Sequence, residues 1–194
     1  MKRFLACAAL LLFVTGCGPA KPSFRNTDIT GASFGKELAL TDHTGKPRTL
    51  ADFSGKAVVI FFGYTRCPDV CPTTMAELKQ VLGKLGSDAQ RVQVLFVTVD
   101  PERDTQALLA QYVPAFDPGF LGLYGDLAAT QKVAREFKVF YQKVPGSKPD
   151  SYTMDHTAAS YVFDPQGRLR LLVKMGSGGE ALVEDLKTLL AARG

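Results

Sequence analysis

The 194-residue chain has no long basic stripe, and a formal net charge of +4, which gives nucleic-acid binding little support. It has no internal repeat and no low-complexity tract, so a solenoid or an array is excluded. No apolar run is long enough to span a bilayer as a helix; the candidate, Phe4 to Val14, is too short. Histidine occurs only twice, at His43 and His156, and cysteine four times, so each carries information. What remains is ordinary globular composition, 46% hydrophobic and 22% charged, in a length that suits one domain with a good core.

Residues 1–16 read as a secretory leader, with Lys2 and Arg3 ahead of the short apolar run. The leader ends in Val14-Thr15-Gly16-Cys17, which resembles a bacterial lipobox with valine where leucine is usual. In that motif the cysteine is lipidated and becomes the new N-terminus; plain cleavage by the ordinary signal peptidase is the alternative. On this reading residues 17–34 form a lipidated N-terminus and a polar tether with Pro19 and Pro22, and residues 35–194 form the domain. The domain is then anchored to the cell membrane and faces the periplasm or another extracytoplasmic space. Cys7 leaves with the leader and Cys17 takes the lipid, so the domain keeps only Cys67 and Cys71.

Those two lie in Gly63-Tyr64-Thr65-Arg66-Cys67-Pro68-Asp69-Val70-Cys71-Pro72-Thr73-Thr74, between the apolar run Ala57 to Phe62 and a helical pattern at Met75, Leu78, Val81, Leu82 and Leu85. Pro72 suits a first helical turn, and Thr74 with Glu77 has capping-box spacing. Each cysteine precedes a proline, which predicts turn conformations for both. The second thiol is expected to face the helix N-terminus, where the dipole favours its thiolate. Such a pair can form a structural disulfide, exchange disulfides or hold a metal ion, and the spacing alone does not choose.

Taken in order, Leu38 to Thr41 and Arg48 to Leu50 predict an N-terminal hairpin, with His43 solvated in its turn. A buried strand over Val58 to Phe62, the first helix and a second strand over Val92 to Val99 follow. Asp104 is placed to cap a helix from Thr105 to about Val113, with Leu108, Leu109 and Tyr112 inward. A short strand over Gly119 to Tyr124 and a helix capped by Asp126, with Leu127, Val133, Ala134 and Phe137 on one face, come next. Tyr141 to Asp155 reads as a long polar loop that delivers the chain to His156. A strand pair, Ala158 to Phe163 and Leu169 to Val173 around Asp164-Pro165-Gln166-Gly167, and a helix over Glu180 to Ala192 close the chain. Strands alternating with helices and ending in an antiparallel pair predict a three-layer α/β domain, a mixed central sheet flanked by helices. That is a thioredoxin-like layout with an N-terminal β-hairpin, and it sets His156 beside Cys67 and Cys71.

At this point the sequence resembles the Sco/SenC family of copper proteins over about Leu38 to Leu189. The motifs are Gly63 to Pro72, then Val99-Asp100-Pro101-Glu102-Arg103-Asp104-Thr105, then Asp155-His156 with Tyr161 and Pro165-Gln166-Gly167. The first and third are specific together; the second matches closely but suggests no chemistry. The resemblance implies a membrane-tethered protein that helps assemble the dinuclear copper centre of cytochrome c oxidase subunit II. It implies Cys67, Cys71 and His156 as the ligands of Cu(I) or Cu(II), and a periplasmic copper donor or thiol reductant as a further partner.

The residues are consistent with this on their own. Soft thiolates select Cu(I), and imidazole suits either copper state. Zinc could use the same donors with a water. A histidine on its own more often satisfies a core, but this one arrives beside a cysteine pair. A purely structural Cys67–Cys71 disulfide would close too few residues to stabilise much. Asp69 and Asp155 are expected in turns next to the ligands, with Asp155 available to orient His156. The competing reading is a thiol–disulfide oxidoreductase with Cys67 and Cys71 as its redox pair, for which His156 has no use. A peroxiredoxin-type peroxidase fits poorly, because Thr65 and Arg66 are misplaced for that chemistry. The main reading is an assembly factor rather than an enzyme with turnover.

Overall fold

The structure, a computed structural model, describes residues 22–148 and 151–192. The strands and helices run in the order β1 Thr27–Asp28, β2 Ala39–Asp42, β3 Pro47–Thr49, β4 Ala57–Gly63, α1 Val70–Leu85, β5 Val92–Thr98, α2 Gln106–Tyr112, β6 Leu121–Tyr124, α3 Leu127–Glu136, β7 Tyr141–Pro145, β8 Tyr152–His156, β9 Ala159–Phe163, β10 Leu169–Lys174 and α4 Gly179–Ala191. Eight strands form one sheet in the order β1-β10-β9-β4-β5-β6-β2-β3. β4 pairs parallel with β5 and antiparallel with β9, so the sheet is mixed, as the alternation predicts. Each of the seven residues of β4 is buried, which is why the strand reads as an unbroken apolar run.

Successive β4 side chains point to opposite faces. Phe62 packs on Phe137 just beyond α3, with ring centroids 5.3 Å apart. Phe61 meets Phe96 at 6.2 Å on the other face, where Phe96 in turn meets Tyr112 of α2. Gly63 shares that face and underlies Cys71 of α1. Helices therefore cover both faces. α4 packs against α1, burying Leu182, Leu186, Leu189 and Leu190 as the sequence predicts.

The N-terminal hairpin is present as β2 and β3, and it is the far edge of the large sheet because β2 also pairs with β6. Its turn is held by Asp42, fully buried, which accepts from Thr44, Lys46 and Arg48. Burial alone would push this carboxyl up, but those donors outweigh it and hold the pKa at about 2. A lowered native pKa gives stability that is complete above the ordinary value and fades as the pH falls towards 2. Asp42→Asn should cost about 2 kcal/mol at neutral pH. Denaturant unfolding of both forms should show that gap closing as the pH falls from 3.8 towards 2.

Several sequence expectations change. The expected tether, residues 17–34, is part of the fold over 24–34. β1 adds to β10, and buried Asp185 of α4 accepts from the Arg25 and Asn26 amides and from Asn26 Nδ2. The absence of periodicity hid this because the pairing covers only two residues. Tyr141 to Asp155 is no loop: β7 and β8 make a separate two-stranded sheet. Asp104 does not cap α2; Thr105 does, accepting from Leu108 N. Only Leu109 of α2 is buried, and Leu127 of α3 is 49% exposed rather than inward. His43 is not merely solvated: its Nδ1 accepts from Gly122 N at 3.0 Å. The leader and Cys17 lie outside the described residues.

Candidate metal centre

β4 ends at Gly63, and the chain turns through Cys67 into α1. The helix begins at Val70, earlier than the Thr74–Glu77 spacing suggests, so Cys71 is helical and not in a turn. That is compatible with the following proline, because a proline in the first helical turn deprives the helix of no internal bond. Gly63 has to be small here. A Cβ on it would lie 2.9 Å from Cys71 Sγ and 2.9 Å from the Phe96 ring.

The two thiols differ in a way opposite to the sequence expectation. The helix N-terminal amide of Cys71 points at Cys67 Sγ, 3.4 Å away, so the first cysteine receives the helix N–H. Cys71 is fully buried, and burial pushes its thiol well above the ordinary range. Without a metal, then, Cys71 is a neutral thiol, because desolvation outweighs the helix terminus. Both cysteines are free rather than disulfide-bonded.

His156 ends β8. Its ring packs edge-on against Tyr64 at 5.9 Å and Phe61 at 6.1 Å. Nδ1 lies 3.2 Å from the Thr157 carbonyl, which can only accept. Nδ1 therefore carries the proton, and Nε2 presents its lone pair to Cys71 Sγ, 3.5 Å away. Burial lowers the histidine pKa, so the neutral, ligating form prevails at neutral pH. Thr157 thus takes the orienting role expected of Asp155, which is exposed. Asp69 is also exposed, and its carboxylate accepts from Thr73 Oγ1 at 3.4 Å.

The donor atoms of Cys67, Cys71 and His156 all lie within 4.8 Å of one another, close enough to share one ion. Cys67 and His156 open onto a groove of about 360 Å³ whose lining also includes Pro68, Val70, Met154 and Asp155, while Cys71 does not reach it. A buried thiol under two half-buried donors makes an open, three-donor site, with a free side for ligand exchange.

Sequence reasoning missed what holds these parts in place. Asp104, fully buried, accepts from Thr65 N at 3.0 Å, Thr65 Oγ1 at 2.6 Å and Thr98 Oγ1 at 2.6 Å, clamping the cysteine loop. Arg103 donates to the Tyr152 carbonyl at 2.8 Å and lies 3.4 Å over the Tyr152 ring. The signal was there, in the matched but unexplained stretch Val99 to Thr105. The β7–β8 hairpin needs such help. Its one buried side chain is Met154, worth about 1.5–3 kcal/mol. Ordering each of its residues costs about 1–2 kcal/mol.

The comparisons with known proteins fit this geometry. The SCO1/SenC family model matches residues 26–191. The chain belongs to the SCO1/SenC family. The mitochondrial SCO2 homolog of Mus musculus is 39% identical over 158 residues, 80% of this chain and 62% of that protein. The chain spans about three-fifths of the length of this and the bovine and human relatives, 62%, 59% and 59%. Among solved structures, Bradyrhizobium japonicum ScoI with copper bound is 44% identical, covering 80% of this chain and 98% of its own, with a TM-score of 0.73. BsSco is described as a member of the Sco family of cytochrome c oxidase assembly proteins, with a disulfide switch. At 19% identity, over 85% of this chain and 98% of its own, with a TM-score of 0.65, its likeness speaks for the fold alone. The fold of this SCO1/SenC chain is thioredoxin-like.

Proposed function

We propose that this chain is a copper carrier that binds one ion through Cys67, Cys71 and His156. It delivers copper to the dinuclear copper centre of cytochrome c oxidase subunit II and keeps that centre's cysteines reduced for loading. It acts as an assembly factor rather than by catalytic turnover, and a periplasmic copper donor or thiol reductant supplies it. The observation that carries this reading is the convergence of two sulfurs and one imidazole within 4.8 Å at an open groove. Thiolates favour Cu(I), and the imidazole adds a donor that suits Cu(II) as well. The copper-bound ScoI of Bradyrhizobium japonicum, 44% identical, supports copper as the cargo. Metal analysis of the reduced chain after anaerobic copper exposure should find one copper per chain, and none in Cys67→Ser with Cys71→Ser. A reduced wild type without copper contradicts the reading.

Two further features suit delivery to a membrane-held acceptor. Phe140 and Met175, 58% and 59% exposed, are apolar residues whose backbones are tied to the two residues that follow His156. Phe140 exchanges hydrogen bonds with Thr157, and Met175 N donates to the Ala158 carbonyl. They offer an apolar rim to an acceptor that must approach within ligand-exchange distance. Strand directions also matter. β1 is antiparallel to β10, β10 to β9 and β9 to β4, so the chain enters the sheet from the end where β4 delivers Cys67 and Cys71. An anchor upstream of β1 holds that end towards the membrane. Lipidation at Cys17 in an extracytoplasmic setting is the anchor we infer. Cys17→Ala should release the protein from membranes or block its maturation, read by fractionation and intact mass. An unmodified N-terminus elsewhere in the wild type contradicts the anchor.

A thiol–disulfide oxidoreductase is the second reading. The unequal pair favours it: Cys67 is half-buried and receives an N–H, while Cys71 lies buried beneath it. Accessible attacking and buried resolving thiols have that arrangement.

A further inference from the structure

Among the described residues, neither strand of the hairpin that carries His156 pairs with a strand of the eight-stranded sheet that delivers the cysteines. Strand pairing therefore does not by itself fix the distance between the two halves of the centre; the His156 ring's packing on Phe61 of β4 is the sheet's direct contact with it. The connection between β5 and α2 reaches both. At one end Val99 N donates to the Gly63 carbonyl, and Asp104 clamps Thr65, two residues before Cys67. At the other end Arg103 and Asp100 seize Tyr152, four residues before His156.

We propose that Arg103 is a positioning residue for the metal centre, its guanidinium locking the β7–β8 hairpin so that His156 meets the two cysteines at ligand distance. The contacts are planar and multiple. Nε pairs with the buried Asp100 carboxylate, Nη1 donates to the Tyr152 carbonyl at 2.8 Å, and the plane stacks 3.4 Å over the Tyr152 ring. The Tyr152 hydroxyl closes the circuit by donating to Asp100 at 2.8 Å. The same guanidinium lies 5.9 Å over the ring of Tyr64, which itself packs on His156. Lys143 to Glu102 is a fourth tie from hairpin to connection, but it is an exposed pair that contributes little. A buried Asp–Arg pair is weak as a source of stability, since its desolvation offsets its attraction. Its effect is orientation. Lysine keeps the charge but neither stacks flat nor donates through a fork, so the exchange is not conservative here.

This inference rests on the ligand set proposed above, and the experiment separates the two. In the full chain, Arg103→Lys should lower Cu(II) affinity about 10- to 100-fold, the usual cost of losing a partner that orients a ligand. Cu(I) affinity should change far less, because two thiolates hold Cu(I) without the ring. In the metal-free chain, hydrogen exchange should accelerate over 141–156 and stay unchanged in β4 and β5. Tyr152→Leu removes the stacking surface from the other side and should give the same selective loss. The double variant should cost no more than the worse single one, as expected for one shared contact. Equal weakening of both copper states, or unchanged exchange over 141–156, overturns the positioning role. A wild type that binds no copper defeats the ligand set instead, while the exchange measurement still decides the role of Arg103.

Discussion

Oxidising Cys67 and Cys71 to a disulfide should take copper binding at this centre from one ion per chain to none. A sulfur committed to a disulfide has no thiolate to offer, and metal ligation requires deprotonated thiols. The geometry makes the exclusion strict. The three donors lie within 4.8 Å of one another, so joining two of them leaves one imidazole, which holds copper weakly alone. Copper should in turn protect the pair from oxidation. The raised Cys71 pKa adds a direction with pH: the metal must displace that thiol's proton, so affinity should rise as the pH rises. Titration of reduced and oxidised chains with a Cu(I) chelator competitor reads both effects. Equal, tight binding by the oxidised chain sinks the proposed ligand set.

His156→Ala should divide the metal reading from the redox one. Cu(I) is soft and tolerates low coordination, so two thiolates keep much of its affinity. Cu(II) favours nitrogen donors, and removing a ligand should cost more than the 10- to 100-fold typical of an orienting partner. Disulfide formation needs no imidazole, so the thiol reduction potential should move little. Stability should also change little, because His156 is half-buried at the open end of a peripheral hairpin. With burial lowering the ring's pKa, protons should compete for Nε2 only on acidification, so wild-type Cu(II) affinity should there fall more steeply with pH than the Cys71 proton alone requires. Unchanged Cu(II) binding with a large shift in potential favours the oxidoreductase.

The sequence shows the scaffold where burial is one-sided or complete. β4 and β5 read as apolar runs because both faces are covered, and α1 and α4 show a 3.6-residue stripe because one face is. It hides β7 and β8 because only Met154 among their ten residues is buried, so no period-2 alternation exists to be read. The three donors stand out by residue type, but Cys71 and His156 are 85 positions apart, and only the fold brings them together. The thiol asymmetry runs against the sequence expectation because the helix dipole is visible in sequence and the burial of Cys71 is not. Asp104 looked like a cap for the same reason. Its spacing fits a helix start, but the side chain turns inward to Thr65 and Thr98.

The most direct test of the central claim is X-ray absorption at the copper edge on the reduced, copper-loaded chain, beside Cys71→Ser and His156→Ala. The account predicts two sulfur scatterers and one imidazole nitrogen in the wild type. One sulfur should vanish in Cys71→Ser and the imidazole signature in His156→Ala. A wild-type spectrum without two sulfurs, or one that neither substitution alters, contradicts it.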